Sequence, residues 1–337
     1  MHKVLVVGPA WIGDAVMAQS LYMALKSRHE SCHITVLSPS WSLPVLKRMP
    51  EIDELVEMPV GHGKLQWGER RRLGVHLRAH NFDQAIVIPG SLKSALIPWF
   101  ARIPVRTGYV GEQRWGLLND IRRLDEKLTP LNVQQYVALG LPKGEKFNGV
   151  FGNPVLKVSE GQIASTLTEL GLTRDQPILG LCPGAEYGPA KRWPEKYFAE
   201  VAERKVSEGW QVWILGSDKD TEIANRINQQ SGAVCKVLAG RTSLIQAVDV
   251  LAACEGVITN DSGLMHVTAG VGTPLVALFG SSTDQFTPPL SESARSLGLE
   301  MECRPCFKRT CPLGHLKCLN DLKPDNVMEK LSHITDL

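Results

Sequence analysis

No stretch of this sequence approaches the ~20 consecutive apolar residues that a membrane-spanning helix requires. The opening residues, Met1-His2-Lys3-Val4-Leu5-Val6-Val7-Gly8, run straight into an apolar segment, without the charged leader and small-residue cleavage site of an export signal. The expectation is a chain that stays in the cytoplasm, with its eight cysteines kept mostly reduced. Also missing are a Walker-type phosphate loop and a complete G-x-G-x-x-G fingerprint, which argues against a P-loop enzyme and against a dehydrogenase. Proline and glycine are too dispersed for a long disordered segment.

What is present suffices for about two globular domains: 337 residues, 43% hydrophobic and 21% charged. The net charge of +2 hides an asymmetry. Residues 61–130 hold twelve Lys and Arg (Lys64, Arg70, Arg71, Arg72, Arg78, Lys93, Arg102, Arg106, Arg114, Arg122, Arg123, Lys127) against six Asp and Glu. Such a run is either a solvated face or a surface for an anionic partner, a phosphorylated acceptor or an anionic membrane.

Apolar, β-branched strand patterns at residues 3–7, 33–37, 52–58, 84–88 and 105–108 alternate with helical patterns at 43–48, 65–80 and 92–100, and with a helix opening at Gly13-Asp14. The pattern weakens between 117 and 175, amid Pro130, Pro142 and Pro154, which places a boundary near 150–175. It restarts with strands at 178–182, 211–215, 234–238, 256–259 and 275–278, the last expected, and helices at 194–208, 221–230 and 243–253. Strands alternating with helices imply two doubly wound parallel sheets, whose ligands bind beyond the carboxyl ends of the strands.

The stretch Gly256-Val257-Ile258-Thr259-Asn260-Asp261-Ser262-Gly263-Leu264-Met265-His266-Val267-Thr268-Ala269-Gly270 reads as strand, polar turn and small-residue helix. Ser262, Gly263 and Leu264 would offer N–H donors at the helix start, where the dipole carries roughly half a positive charge. Gly263 leaves room for a phosphate, and His266 follows one turn on. The same residues also suit an ordinary helix start, with Asp261 as cap and His266 in the core. Because phosphates repel carboxylates, Asp261 is otherwise assigned to sugar hydroxyls. Asp14 is suited to general-base or capping duty. Lys191 is suited to neutralising a diphosphate or to an exposed loop. Asp220, in Gly216-Ser217-Asp218-Lys219-Asp220, is suited to holding a ribose or capping a turn.

In order and spacing, Gly13-Asp14, Lys191-Arg192-Trp193-Pro194-Glu195, Gly216-Ser217 with Asp220, and Asn260-Asp261-Ser262-Gly263-Leu264-Met265-His266 resemble the ADP-heptose glycosyltransferases of bacterial lipopolysaccharide assembly. The resemblance spans nearly the whole chain. It is extended by Gly61-His62-Gly63 with Gly68-Glu69-Arg70-Arg71-Arg72, by Arg114-Trp115-Gly116-Leu117-Leu118-Asn119-Asp120, and by Cys182-Pro183-Gly184-Ala185-Glu186-Tyr187-Gly188-Pro189-Ala190-Lys191.

The resemblance implies a GT-B architecture of the α/β class: two Rossmann-like doubly wound domains facing across a cleft, 1–160 receiving the acceptor and 161–337 the nucleotide-sugar. It implies inverting transfer of L-glycero-D-manno-heptose from ADP-heptose to a lipid A core acceptor, heptosyl-Kdo-lipid A. It also implies transient association with the cytoplasmic face of the inner membrane and no nucleic-acid partner. Asp14 would then be the general base, and Lys191 with the Ser262-Gly263-Leu264 amides would stabilise the leaving diphosphate. Asp220 would hold the ribose, Thr242 would lie near adenine, His266 would support the phosphate loop, and Arg70, Arg71 and Arg72 would face the acceptor. The wider family often carries proline six residues after the early Asp; Ser20 stands there in this chain, so the helix is expected to pack differently. No Asp-x-Asp pair sits where a metal-dependent transferase would want one, so no cofactor is expected to be required and a divalent cation is at most stimulatory. The alternative on the same fold is a nucleotide-sugar epimerase or hydrolase acting without a lipid acceptor.

Cys303-x2-Cys306-x4-Cys311-x6-Cys318 has a spacing able to chelate zinc. The family carries similar cysteines without implying a metal, so reduced thiols are the expectation here.

Overall fold

The computed structural model describes residues 1–61 and 63–335, so His62 of the Gly61-His62-Gly63 motif lies outside the described residues. The chain divides into two units, Met1–Pro154 and Val155–Leu337, a little before the expected boundary at 160. In the first, β1 (His2–Val7), β2 (Cys32–Ser38), β3 (Glu54–Glu57), β4 (Gln84–Val87), β5 (Val105–Tyr109) and β6 (Asp120–Arg122) form one sheet in the order β3-β2-β1-β4-β5-β6. In the second, β7 (Ile178–Cys182), β8 (Gln211–Ile214), β9 (Lys236–Val237), β10 (Gly256–Asn260), β11 (Leu275–Leu278) and β12 (Ala294–Leu297) run β12-β11-β10-β7-β8-β9. Every pairing is parallel. Read in chain order, both sheets have the 3-2-1-4-5-6 order of a dinucleotide-binding fold, with the strand order reversing between β1 and β4 and between β7 and β10. These are the doubly wound α/β units that a GT-B architecture calls for.

The central strands are apolar runs because helices cover both of their faces. Val4 to Val7 of β1 and all five residues of β7 and β10 are buried. Leu275–Leu278, expected to be the last strand, is followed by β12, which pairs beside it. Both outermost strands the sequence pattern missed, β6 and β12, are short and only partly buried, so neither carries an apolar run. The pattern also missed the helices Asn132–Leu139, Glu160–Leu170 and Pro324–Thr335. The helix after β1 is broken at Ala18 into Ile12–Met17 and Gln19–Arg28, although no proline is there. Ser20, at the family's proline position, is buried and its hydroxyl donates to the Gly152 carbonyl at 2.6 Å. Among the described residues no helix is long and apolar enough to cross a membrane.

Candidate functional site

In the second unit, β7 and β10 are hydrogen-bonded neighbours, with Cys182 opposite Thr259. The loops leaving their carboxyl ends therefore start side by side at the point where the strand order reverses. Asn260 joins them: its amide nitrogen donates to the Pro183 carbonyl at 2.7 Å, and its oxygen accepts the Trp193 backbone N–H at 3.0 Å. Trp193 is itself anchored, with its ring edge-on to Phe198 at 4.9 Å and its indole N–H on the Leu322 carbonyl at 2.8 Å. Between these fixed points Lys191 Nζ reaches Asp261 Oδ2 at 2.5 Å, and Ser282 Oγ donates to the same oxygen at 2.5 Å.

This arrangement narrows the expected roles of Asp261. Its Oδ2 is taken up by Lys191 and Ser282 and the residue is 6% exposed, so it is not the helix cap, and a contact with sugar hydroxyls falls to its other oxygen. The N-cap of the helix Gly263–Val271 is Ser262, whose side chain makes no capping bond. The N–H groups of Gly263 and Leu264 in that first turn thus have no side-chain cap, the condition for receiving an anion. Ser281 Oγ, buried nearby in sequence to Ser282, has no hydrogen-bond partner among the described residues. His266 is buried, and burial, reinforced by Lys191 and opposed by Asp261, pushes its imidazole down to about 4. The ring is neutral at pH 7 and lies close enough to feel both members of the ion pair.

Asp220 closes a turn: its Oδ2 accepts the Ser217 backbone N–H at 2.9 Å and the Ser217 hydroxyl at 2.7 Å. A Cβ at Gly184 would stand 2.6 Å from that carboxylate, so only glycine lets the loop after β7 pass over it. Thr242 lies beyond β9, just before the helix Leu244–Ala252, where Ser243 rather than Thr242 is the cap. Gly240 N–H donates to the Gly216 carbonyl at 3.2 Å, which holds the loop leading to Thr242 against the turn that Asp220 closes.

The cysteine-rich segment braces these loops. Phe307 N–H donates to the Ser281 carbonyl at 2.8 Å, Arg309 accepts the Ala190 N–H at 3.0 Å, and Tyr187 OH donates to the Phe307 carbonyl at 2.7 Å. Lys191 and Arg309 both lie within cation–π range of the Tyr187 ring, at 5.0 and 5.2 Å. All four cysteines are free thiols, and among the described residues no group of three or more His, Cys, Asp or Glu is placed to hold a metal ion. Backbone N–H groups of residues 313–316, that of Leu316 foremost, hold the Cys311 thiol below its ordinary pKa.

In the first unit Asp14 falls within the helix Ile12–Met17 after β1, where the strand order reverses, and Trp11 rather than Asp14 takes the N-cap position. Asp14 Oδ1 accepts Asn132 Nδ2 and Tyr136 OH, each at 3.0 Å. Asn132 and Tyr136 sit one turn apart on the helix Asn132–Leu139, so one face presents both donors. Burial first, and then the Asp14 carboxylate, hold the Tyr136 phenol well above its ordinary value, so it stays a donor. Sequence reasoning missed both residues, as well as Ser282. The i, i+4 spacing of two polar groups beside Val133 and Val137 was the available signal.

The arginine cluster divides, and the expectation is corrected at Arg70 alone. Arg70 is 5% exposed, and its guanidinium donates to the carbonyls of Leu65, Lys93 and Lys64 at 2.7, 3.1 and 3.2 Å. It is a structural cross-brace rather than an acceptor contact. Arg106 and Arg114 are likewise spent on carbonyls, and Arg122 on Asp120 together with carbonyls. Of the three expected acceptor residues, Arg71 and Arg72 are exposed, and Arg72 is paired with Glu69. Much of the positive excess of residues 61–130 is therefore internal scaffolding.

Residues 70–317 match the family described as glycosyltransferase family 9 (heptosyltransferase). Lipopolysaccharide heptosyltransferase 2 of Escherichia coli (strain K12) is 47% identical, the alignment covering 98% of this chain and 97% of that protein. Lipooligosaccharide heptosyltransferase 2 of Haemophilus influenzae is 44% identical over 98% of this chain and 99% of its own length. The solved structure of E. coli ADP-heptose LPS heptosyltransferase II superposes with a TM-score of 0.89 at 45% identity, covering 99% of this chain and 98% of that one. These relatives are transferases, so the epimerase or hydrolase alternative finds no support in them. Likeness of this extent runs through both units, and the chain belongs to glycosyltransferase family 9, the heptosyltransferases.

Proposed function

We propose that this chain transfers L-glycero-D-manno-heptose from ADP-heptose to heptosyl-Kdo-lipid A in lipopolysaccharide inner-core synthesis, with inversion at the anomeric carbon. ADP-heptose and a lipopolysaccharide acceptor are carried over from the E. coli relative, described as an ADP-heptose LPS heptosyltransferase II, and the heptose epimer and heptosyl-Kdo-lipid A from the family resemblance. The observation that carries the chemistry is the Asp14 carboxylate held by two donors, Asn132 and Tyr136. Asp14 takes the proton of the acceptor hydroxyl as that oxygen bonds to the anomeric carbon. The bond from that carbon to the β-phosphate oxygen breaks with its electron pair, which leaves on ADP. Lys191 and the backbone N–H groups of Ser262, Gly263 and Leu264 meet the charge that grows there. Asp261 aims the ammonium, His266 adds no charge beside it, Asp220 offers its second oxygen to the ribose, and Thr242 lies towards adenine.

In this reading the growing charge is met by protein groups, so no cofactor is required and activity persists in chelator. The acceptor is a lipid, which brings the protein transiently to the cytoplasmic face of the inner membrane. The test is ADP release from ADP-heptose with and without heptosyl-Kdo-lipid A, in the wild type and in Asp14→Asn. Acceptor-dependent release that falls about 10³-fold in the variant, with ADP-heptose binding retained, is the expected result. Release that ignores the acceptor, or full activity in the variant, would overturn the assignment.

A further inference from the structure

The eight tryptophans divide between the units. Trp193, Trp210 and Trp213 of the second are buried, whereas Trp11, Trp41, Trp67, Trp99 and Trp115 of the first are exposed. Packing accounts for two of these: Trp67 and Trp99 both lean edge-on to Phe100, at 5.1 and 4.9 Å. Trp115 belongs to the short turn that bridges to Leu118. Trp11 and Trp41 leave 50% and 46% of their surface open and stack on no ring among the described residues.

These two are nevertheless tied together. Trp41 lies in the 3-10 turn Ser40–Ser42 beyond β2, and its indole N–H donates at 2.9 Å to the carbonyl of Ala10, the residue before Trp11. Ser42 stiffens that turn, its hydroxyl bonding to the Pro39 carbonyl and the Ser38 hydroxyl, both at 2.8 Å. The Trp11 carbonyl accepts the Ala15 N–H at 2.9 Å, so Asp14 falls inside the turn that Trp11 opens. β1 and β2 pair in register, Val7 opposite Leu37, so both loops leave adjacent points of one sheet edge.

An indole face is large and apolar, and covering it removes surface from water at about 25 cal/mol per Å². Isolated surface tryptophans need no explanation. Two that share one short stretch of backbone beside the proposed general base, with the Trp41 indole fixed to the residue before Trp11, do. The ligand that Asp14 acts on is a saccharide, and the C–H-lined face of a pyranose ring is the apolar surface it offers. We infer that Trp11 and Trp41 form a stacking platform for the acceptor sugar whose hydroxyl Asp14 deprotonates. The inference rests on the transferase reading above and adds two binding residues to it, in place of the buried Arg70.

The experiment compares Trp11→Ala, Trp41→Ala and Trp11→Phe with the wild type, using heptosyl-Kdo-lipid A and its deacylated form. Each alanine variant is expected to raise the acceptor KM about tenfold on both forms, leaving the ADP-heptose KM unchanged. Trp11→Phe, which keeps an aromatic face, recovers most of the loss. Deacylated acceptor should also quench the fluorescence of the wild type, and not that of the Trp11→Phe, Trp41→Phe double variant, a readout that needs no turnover. An unchanged acceptor KM in alanine variants of an active enzyme, or a quench that survives in the double variant, overturns the platform and leaves the transferase reading standing. A loss confined to the acylated acceptor overturns it in favour of acyl-chain contact. A wild type that releases ADP without regard to acceptor overturns both readings.

Discussion

Lys191 and Asp261 stand 70 positions apart in the chain and meet at 2.5 Å. They meet because β7 and β10 are parallel neighbours and each residue lies on the loop beyond its strand. At 17% and 6% side-chain exposure the pair is only partly screened by water. A free carboxylate so close to an uncapped helix start would repel a phosphate. Committed to Lys191 and Ser282, Asp261 instead fixes where the ammonium stands.

If Asp261 acts through Lys191, the two substitutions should not add. Lys191→Met is expected to lower kcat about 100-fold or more, the scale of losing one preorganised contact to a developing charge. Asp261→Asn should weaken ADP-heptose binding about tenfold, a loss of about 1.4 kcal/mol. In the Lys191→Met background, Asp261→Asn should cost little further affinity in titration calorimetry. Additive losses would mean that Asp261 meets the sugar directly, as the sequence first suggested.

Legibility followed burial. The central strands could be read because both faces are covered and their residues form unbroken apolar runs. β6 and β12 could not, being edge strands with mixed composition. Of the candidate residues, those placed by a strand end could be located: Asp14, Lys191 and Asp261 each follow a clear strand. The side chains that bond to Asp14 and Asp261 from elsewhere in the chain could not. Tyr136 lies 122 positions from Asp14, in the proline-punctuated region where the pattern faded, and only the folded chain brings its phenol to the carboxylate. Charge density misled for a related reason. A cluster of arginines registers as a positive surface, whereas Arg70 points its guanidinium at three backbone carbonyls that a sequence does not display.

That difference separates Arg70 from its neighbour. Arg70→Ala strips the donor from three carbonyls and should destabilise the protein by about 3 kcal/mol. The thermal midpoint of the first unit would then fall by roughly 6 °C or more. Arg71→Ala, at an exposed position, should leave the melting curve unchanged. Differential scanning calorimetry of the two variants decides it. Equal melting of Arg70→Ala and the wild type would show that the cross-brace carries no stability and would reopen Arg70 as a ligand contact.

His266 gives the site a pH signature. Its folded-state value of about 4 lies below the ordinary 6.5, so between these limits the unfolded chain binds a proton that the native site refuses. Its effect on stability is therefore absent above pH 6.5 and grows as the pH falls towards 4. By pH 4.5 the loss relative to pH 7 should reach about 2.5 kcal/mol from this residue alone. His266→Gln keeps a polar side chain of similar reach without the titration. Urea unfolding at pH 7.0 and 4.5 should thus show a fall smaller by that amount in the variant. Asp53 and Asp120, held below the usual carboxylate range mainly by hydrogen bonds from Lys26 and Arg122 against the pull of burial, are common to both proteins and cancel in the difference. Equal falls in the two proteins would mean that the imidazole titrates normally and carries charge beside Lys191 in mild acid. A smaller fall in the variant would leave the ring neutral, so that Lys191 alone supplies side-chain positive charge at the helix start.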